Sequence, residues 1–479
     1  MKHVHPSDRL SRRHLLSSGV ALGVASLLGC GGGDAGAALG GGVAGVGTGG
    51  TGSFSFGAIR GFGSIVVGGV HYDDSSARVV GEGGAAAARG DLRLGMVVEV
   101  EGSEIVLASD GRRRADASSI AVRSEIEGPV SAIDAAAGTL TVLGQQVLVT
   151  PATVFDDDLP GGLAGLRVGQ VIEVYGLPQA DGRYLATRIE DESQARQYKL
   201  RGQVSALDAG ARTFRIGGVL VSYADLAAAV AGLADGVYAR VSLLTTPAAS
   251  GAWRASAIVL AGAAITPPVG AGTRLRTEVE GFITAFDSPT RFAVNGITVD
   301  ASGVRQLPPG LARGVRVEVK GLFAGGVLSA DEVELEDDGD QEFELEGRIE
   351  RVDRASQTFV VRGVTVAYAG ARFERGTAEQ LVPGVAVEVD GRLAADGRTV
   401  LAREIEFDGP DAEFELEGRV ASVAPAEQTF VIAGLTVDYA RARFVGGSAA
   451  RLAPGARVEV DGRRVSATRV EATQVEFDD

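Results

Sequence analysis

The sequence predicts an all-β protein built as a tandem array of six small β modules. Module-opening glycines recur at intervals of roughly 65 to 80 residues, which is the spacing of a repeated domain. Strict alternation of apolar and polar residues, clearest at 384–391, indicates strands with one buried and one solvated face. Extended helical periodicity is absent from the modules. The opening glycines are Gly57, Gly128, Gly202, Gly281, Gly347 and Gly418.

The order of strands within a module is best seen in the fifth copy. An opening strand begins at 342, a hairpin covers 358–361 and 364–368, and the fourth and fifth strands lie at 384–391 and 401–407. The longest connection joins the third and fourth strands and has room for at most a short helix. This plan predicts a five-stranded, OB-like β-barrel, although a small sandwich fits the same strand count.

Charge and residue usage exclude several classes of function. The net charge of −16 repels nucleic-acid phosphates, so we expect no nucleic-acid partner. The single cysteine is Cys30, and three of the four histidines precede it, which leaves His71 alone in the modules. Disulfides, Cys/His metal cages and most histidine-dependent triads are therefore excluded from them.

The first thirty residues have the parts of an export signal and a lipid anchor. Arg12 and Arg13 precede a short apolar stretch and resemble a twin-arginine signal, while the general secretory route remains the alternative. The string 27–30, Leu-Leu-Gly-Cys, resembles the lipobox of bacterial lipoproteins, which implies cleavage before Cys30 and its acylation. Gly31, in place of Asp, implies sorting to the outer membrane. We therefore expect an exported protein, lipid-anchored in the cell envelope.

These features divide the chain into eight segments. Residues 1–29 are the predicted signal peptide, and 30–53 are the lipidated cysteine and a Gly-rich tether. The predicted modules 1 to 6 cover 54–123, 124–197, 198–265, 276–337, 341–409 and 412–479.

Module 1 carries a family resemblance. Its stretch 61–67, Gly-Phe-Gly-Ser-Ile-Val-Val, followed later by 94–102, resembles a bacterial envelope family of unknown function with tandem G-F-G-S-[IV]-x-V modules. The resemblance is clearest in modules 1, 5 and 6, and module 3 departs most from it at 236–241. It implies β modules and an envelope location, and it implies no activity.

Acidic residues are the candidate ligands. A glutamate recurs on the fourth strand, where alternation with valines predicts that it marks the solvated face; we expect His71 to be exposed as well. Asp337, Asp338 and Asp340 form the leading candidate calcium site, and the runs 156–158 and 408–411 are further acidic junctions. No other cofactor is expected. The recurrent glutamates are Glu99, Glu173, Glu318, Glu388 and Glu459.

The sequence therefore predicts a non-enzymatic, lipid-anchored envelope protein whose modules form an extended array for binding or scaffolding. Its expected partners are the membrane, through the lipid, and an envelope protein or saccharide that the sequence does not identify. A calcium-stiffened structural or adhesive stalk is the first alternative. A carboxylate-dependent envelope hydrolase is the second.

Overall fold

The pairing of strands closes each module into a small barrel. The structure is a computed structural model that describes residues 52–81, 84–109, 111–228, 230–261, 265, 267, 274–336, 342–407, 414–432, 434–466 and 469–477. In module 5 the five strands are Glu342–Asp353, Thr358–Val361, Val364–Ala367, Ala386–Leu393 and Thr399–Phe407.

The strand order of module 5 is that of an OB-type barrel. Strand 1 pairs antiparallel with strands 2 and 4, strand 2 with strand 3, and strand 4 with strand 5, whereas strands 3 and 5 run parallel. The order is thus 1-2-3-5-4-1. Val387 and Val389 of strand 4 are fully buried, as the alternation predicts. The predicted five-stranded, OB-like barrel is confirmed, and closure leaves no free sheet edge in the module.

The same pairing scheme is found in the other described segments. The first strand of module 1 is split into two pieces at Ile59 and Arg60. The strands are Ser53–Ala58 with Gly61–Phe62, Ile65–Val67, Val70–Asp73, Val97–Gly102 and Arg113–Arg123 in module 1; Ile126–Asp134, Thr139–Val142, Gln145–Leu148, Val171–Pro178 and Tyr184–Asp191 in module 2; and Gln197–Asp208, Thr213–Ile216, Val219–Ser222, Tyr238–Leu244 and Trp253–Ala261 in module 3. They are Leu275–Ser288, Arg291–Val294, Ile297–Asp300, Arg316–Ala324 and Val327–Leu335 in module 4, and Phe414–Ala424, Thr429–Ile432, Leu435–Asp438, Arg457–Ser466 and Arg469–Phe477 in module 6.

The connection between strands 3 and 4 contains more structure than the sequence indicates. As expected, the helices that the structure describes in this connection are short: Arg89–Asp91, Gly162–Gly165, Ala378–Gln380 and Ala449–Arg451. A short extra strand in the same connection pairs parallel with strand 5, at Arg78–Val80, Val154–Phe155, Arg372–Glu374 and Arg443–Val445. Strands of two or three residues are too short to show an alternation pattern, so sequence analysis missed them. Module 1 also has a two-residue strand, Val106–Leu107.

Modules that are distant in sequence pair directly with one another. Strand 1 of module 1 runs parallel to strand 1 of module 4, with Ser53 opposite Arg276 and Phe56 opposite Val279. After the break at Arg60, Gly61–Phe62 pairs with strand 1 of module 5. The expectation of an extended array is therefore wrong, because the split first strand of module 1 joins modules 4 and 5.

Three hydrophobic clusters follow this arrangement. One is formed mainly by modules 1, 4 and 5, the second by modules 2 and 3, and the third by module 6. Residues Gly49–Asp479 form one compact unit. In the part of the chain that the structure describes, no helix has the length and apolar character needed to cross a membrane.

Candidate functional site

Rows of glutamates cross the outer faces of several barrels. In each row, one glutamate on strand 1, one on strand 4 and one on strand 5 stand directly opposite each other; we call such a row a carboxylate ladder. The ladders are Glu127, Glu173 and Glu190 in module 2; Glu280, Glu318 and Glu334 in module 4; Glu346, Glu388 and Glu406 in module 5; and Glu417, Glu459 and Glu476 in module 6. Like charges placed directly opposite destabilise a sheet, so each row requires cations.

In module 4 the cation comes partly from module 1. Arg60, at the break in strand 1, places Nη2 3.0 Å from Oε1 of Glu280 and 2.8 Å from Oε2 of Glu336. Arg316 of module 4 pairs with the same oxygen of Glu280. Burial raises the pKa of Glu280, but Arg60 and Arg316 outweigh burial and hold that pKa below its ordinary value. Module 1 is thus held on module 4 by a buried ion pair.

The central glutamate of the same ladder has the opposite pKa shift. Glu318 is only 7% exposed, and burial, reinforced by Glu280 and Glu336, raises its pKa to about 7 despite nearby Lys320. Its Oε1 has no hydrogen-bond partner, and the hairpin turn at Gly68 of module 1 covers it. A carboxyl with this pKa is partly protonated at neutral pH.

A second contact in this interface involves Glu278, which is 1% exposed and pairs with Arg113 of module 1. Arg113 begins the fifth strand of module 1. The adjacent Arg112 pairs with the module 5 ladder at Glu388. One basic hairpin of module 1 therefore reaches carboxylates of two other modules.

A further contact between modules 1 and 5 involves His71 of module 1, which the sequence predicts to be exposed. The His71 side chain is 11% exposed, and its Nε2 lies 3.3 Å from Oε2 of Glu344. The prediction that His71 is exposed is therefore wrong, because module 5 covers it. Burial raises the pKa of Glu344, with a further contribution from Asp390.

The ladder of module 2 takes its cation from module 3. Lys199 Nζ lies 2.5 Å from Oε2 of Glu127 and 3.0 Å from Oε1 of Glu173. Burial acts to lower the pKa of Lys199, but the two glutamates outweigh it and hold that pKa above its ordinary value. The Tyr175 hydroxyl donates to Glu173 at 3.1 Å. Lys199 therefore bridges two modules in the same way that Arg60 does.

These contacts correct the prediction for the recurrent fourth-strand glutamate. Glu173 and Glu318 are buried, and Glu99, Glu388 and Glu459 are partly buried. Alternation identified the outer face of each barrel correctly. It does not tell whether another module covers that face, so the prediction of a solvated face is wrong for the two buried residues.

The basic partners of the ladders were also missed by sequence analysis, although signals were present. Arg112 begins a run of three arginines in an acidic chain, and each ladder starts with a glutamate directly before the module-opening glycine. The cations come from distant modules, so no local spacing could pair them with their glutamates.

The other predicted site residues have separate outcomes. Cys30, Arg12 and Arg13 lie outside the described residues, as do the candidate calcium ligands Asp337, Asp338 and Asp340 and the acidic run 408–411. At the junction 156–158, the structure places Oδ1 of Asp156 3.7 Å from Arg188 and Oδ1 of Asp157 3.5 Å from Arg398. These two carboxylates face arginines of two different modules.

Two groups of carboxylates among the described residues have the spacing of a metal site. In each group, ligand oxygens lie within 4.8 Å of one another: Glu173, Glu190 and Glu192 in module 2, and Glu344, Glu388 and Asp390 in module 5. Lys199 already bridges the first group to module 3, and Arg112 pairs with the second. Chemically, both groups bind cationic side chains of other modules.

Modules 1 and 3 do not carry the ladder. The corresponding residues are Phe56, Glu99 and Ala121 in module 1 and Arg201, Arg240 and Val259 in module 3. Module 1 instead supplies cations to modules 4 and 5, and module 3 supplies one to module 2. The modules thus fall into two groups: those that supply cationic side chains to other modules, and those whose glutamates form ladders.

The fold and these ladders define a class of protein, a tandem set of OB-like barrels that bind one another through their outer faces. The sequence profile of a family described as "Domain of unknown function (DUF5666)" matches residues 127–190, 280–334, 346–406 and 417–476, about half of the chain. The chain belongs to this family.

The four matched segments are the modules that carry a carboxylate ladder. Module 3 is unmatched, in line with the departure noted in its sequence, but module 1 is unmatched too. The resemblance of module 1 to the family therefore stays a prediction. The count of six family copies stays a prediction.

Two further comparisons add no functional information. No curated protein matches the chain. A solved structure described as "drosophila Unr CSD456" is 13% identical, covers 45% of this chain and 98% of its own, and has a TM-score of 0.13. A TM-score this low supports no conclusion about fold or function.

Proposed function

We propose that this protein is a non-enzymatic scaffold of the cell envelope, exported, anchored through a lipid on Cys30, and built to hold binding modules in a fixed arrangement. The observation that carries the proposal is the use of the barrel faces. Module 1, which follows the proposed anchor and tether, uses Arg60, Arg112 and Arg113 to hold modules 4 and 5. Charged side chains that bind other modules hold the modules together.

The same geometry argues against the hydrolase alternative for the described carboxylates. Glu318 has a pKa suited to a general acid, yet it is buried beneath the module 1 hairpin, where no substrate reaches it. Glu280 and Glu173 are engaged by Arg60 and Lys199. A scaffold needs such buried, paired groups, whereas a hydrolase needs an accessible acid and base.

The anchor is tested by fractionation of cells that produce the full chain. We expect Cys30→Ser to move the protein from the membrane fraction to the soluble fraction, because an acyl chain contributes about 0.8 kcal/mol per buried CH₂ and the serine cannot be thioether-linked to lipid. Ser18→Ala, within the same apolar stretch, is the control and should stay membrane-bound. Retention of the Cys30→Ser protein at the level of the control would contradict the proposed anchor.

A further inference from the structure

Module 3 reverses the charge of the ladder. At the positions where modules 2, 4, 5 and 6 place glutamates on strands 1 and 4, module 3 has Arg201 and Arg240, which stand directly opposite each other. Val259 occupies the third position on strand 5. Two adjacent guanidinium groups repel each other as two carboxylates do, so this row requires negative charge nearby.

A cavity of about 430 Å³ lies over this reversed row, between modules 3 and 1. Module 1 contributes Arg78 and Arg123 to its lining, so four arginines converge on one cavity of an acidic protein. The wall between them includes Tyr238 and the apolar side chain of Val259. Its volume lies within the range of about 300 to 1,000 Å³ that is typical of small-molecule sites.

Carboxylates behind the cavity wall engage some of these arginines. Arg123 Nη2 lies 2.6 Å from Oε2 of Glu99, and Arg201 Nη1 lies 3.6 Å from Oε1 of Glu125. Neither glutamate lines the cavity, and among the described residues the lining contains four arginines and no acidic side chain. Among the described residues, the charged side chains that line the cavity are therefore all cationic.

The facing module adds arginines to the lining of this cavity. Each ladder of modules 2, 4 and 5 is met by a residue of opposite charge from another module. At the reversed row the facing module brings Arg78 and Arg123, which have the same sign as Arg201 and Arg240. Arginines of two modules thus face one another across this cavity.

We propose that the arginine cavity between modules 1 and 3 binds an oxyanion, a carboxylate or a phosphate carried by a sugar-sized ligand. Guanidinium groups bind both oxyanions through paired, charge-assisted hydrogen bonds. Burial raises the pKa of Tyr238 well above its ordinary value, so its hydroxyl stays protonated and adds no negative charge to the cavity. This inference goes beyond the proposed function and does not depend on the lipid anchor.

The test is isothermal titration calorimetry on the full-length protein in a non-ionic detergent. The probes are glucuronate, glucose 6-phosphate, inorganic phosphate and, as the neutral control, glucose. We expect heat of binding for the oxyanions, weaker at high salt, and none for glucose. Tighter binding of glucuronate and glucose 6-phosphate than of inorganic phosphate supports a sugar-sized ligand. Equal binding of all three oxyanions would assign the site to the free anion and overturn the proposal of a sugar-sized ligand.

Variants assign the binding to the cavity. Arg240→Gln and Arg78→Gln, on opposite walls, should each weaken oxyanion binding about tenfold, as expected for the loss of one charge-assisted contact. The matched control is Arg254→Gln in module 3, whose guanidinium pairs with Asp225 outside the cavity. Arg78 is exposed, so we expect Arg78→Gln to fold, and it still tests the cavity if Arg240→Gln does not fold.

Three results would overturn the proposal. The first is that no oxyanion binds at a concentration of about 10 mM, at which a site with a millimolar Kd would be mostly occupied. The second is equal binding of glucose and glucuronate. The third is an equal loss of affinity in Arg254→Gln and the two cavity variants.

Discussion

At the scale of single residues, one glutamate position has different properties in different modules. Glu388 and Glu318 occupy equivalent places on strand 4, yet only Glu318 is more than nine-tenths buried. The difference arises from the module 1 hairpin, whose Gly68 lies against the Glu318 carboxyl. The pKa of such a residue is therefore determined by the contact between modules, which is why local sequence could not predict it.

Glu318 predicts a pH dependence of stability. An unfolded glutamate has a pKa of about 4.3, whereas the folded value is about 7. Between these values the folded state binds more protons, so the free energy of unfolding contributed by this residue falls as the pH rises from about 4.5 to about 7. We expect Glu318→Gln to be more stable than the wild type at pH 8 by about 1 to 3 kcal/mol and nearly equal at pH 5.

Urea unfolding at the two pH values measures this effect. Glu332→Gln is the matched control, since Glu332 also lies beside Lys320 but is about half exposed. It should show no comparable gain at pH 8. A Glu318→Gln protein that is less stable than the wild type at pH 8 would contradict the buried, partly protonated carboxyl.

At the scale of strands and turns, the sequence predicted the barrels well. The alternation at 384–391 corresponds to strand 4 of module 5, and the glycine turn at Gly363 joins strands 2 and 3. These features are local, because alternation and turn glycines depend on neighbours within one hairpin. The short parallel strands beside strand 5 were missed, because strands of two or three residues have no period to recognise.

A glycine before strand 4 gives an element-scale prediction. Gly95 and Gly314 lie two residues before strand 4 in modules 1 and 4, with φ of +79° and +87°. A Cβ at Gly95 would meet the carbonyl oxygen of Thr187 in module 2 at 2.5 Å, whereas nothing lies within 4 Å at Gly314. Alanine costs roughly 1 kcal/mol at both because of the positive φ. We expect Gly95→Ala to lose about 1 to 3 kcal/mol more than Gly314→Ala.

Thermal and urea unfolding of the two variants provide the comparison. Because the backbone cost is shared, the difference between them reports the contact between modules 1 and 2. Equal losses of stability in Gly95→Ala and Gly314→Ala would mean that this contact is absent in solution.

At the scale of the whole molecule, the sequence did not predict how the modules meet. Repeats suggest stacking of sequence neighbours, but module 1 pairs with modules 4 and 5 through its split first strand. The arginines of module 1 also bind glutamates that lie far along the chain, in modules 4 and 5. Charge complementarity between side chains about two hundred residues apart has no periodic pattern in the sequence, so it becomes visible only in the folded structure.

The most direct test of this assembly is a double-mutant cycle between Arg60 and Glu280, which meet at 3.0 Å across modules 1 and 4. Stability is measured by urea unfolding for Arg60→Met, Glu280→Gln and the double variant. The exposed pair Arg276 and Asp331 within module 4 is the control, and its coupling should stay below about 1 kcal/mol. We predict a coupling of about 1.5 to 3 kcal/mol for Arg60 and Glu280. A coupling below about 0.5 kcal/mol would mean that the two residues are independent and that module 1 does not hold module 4.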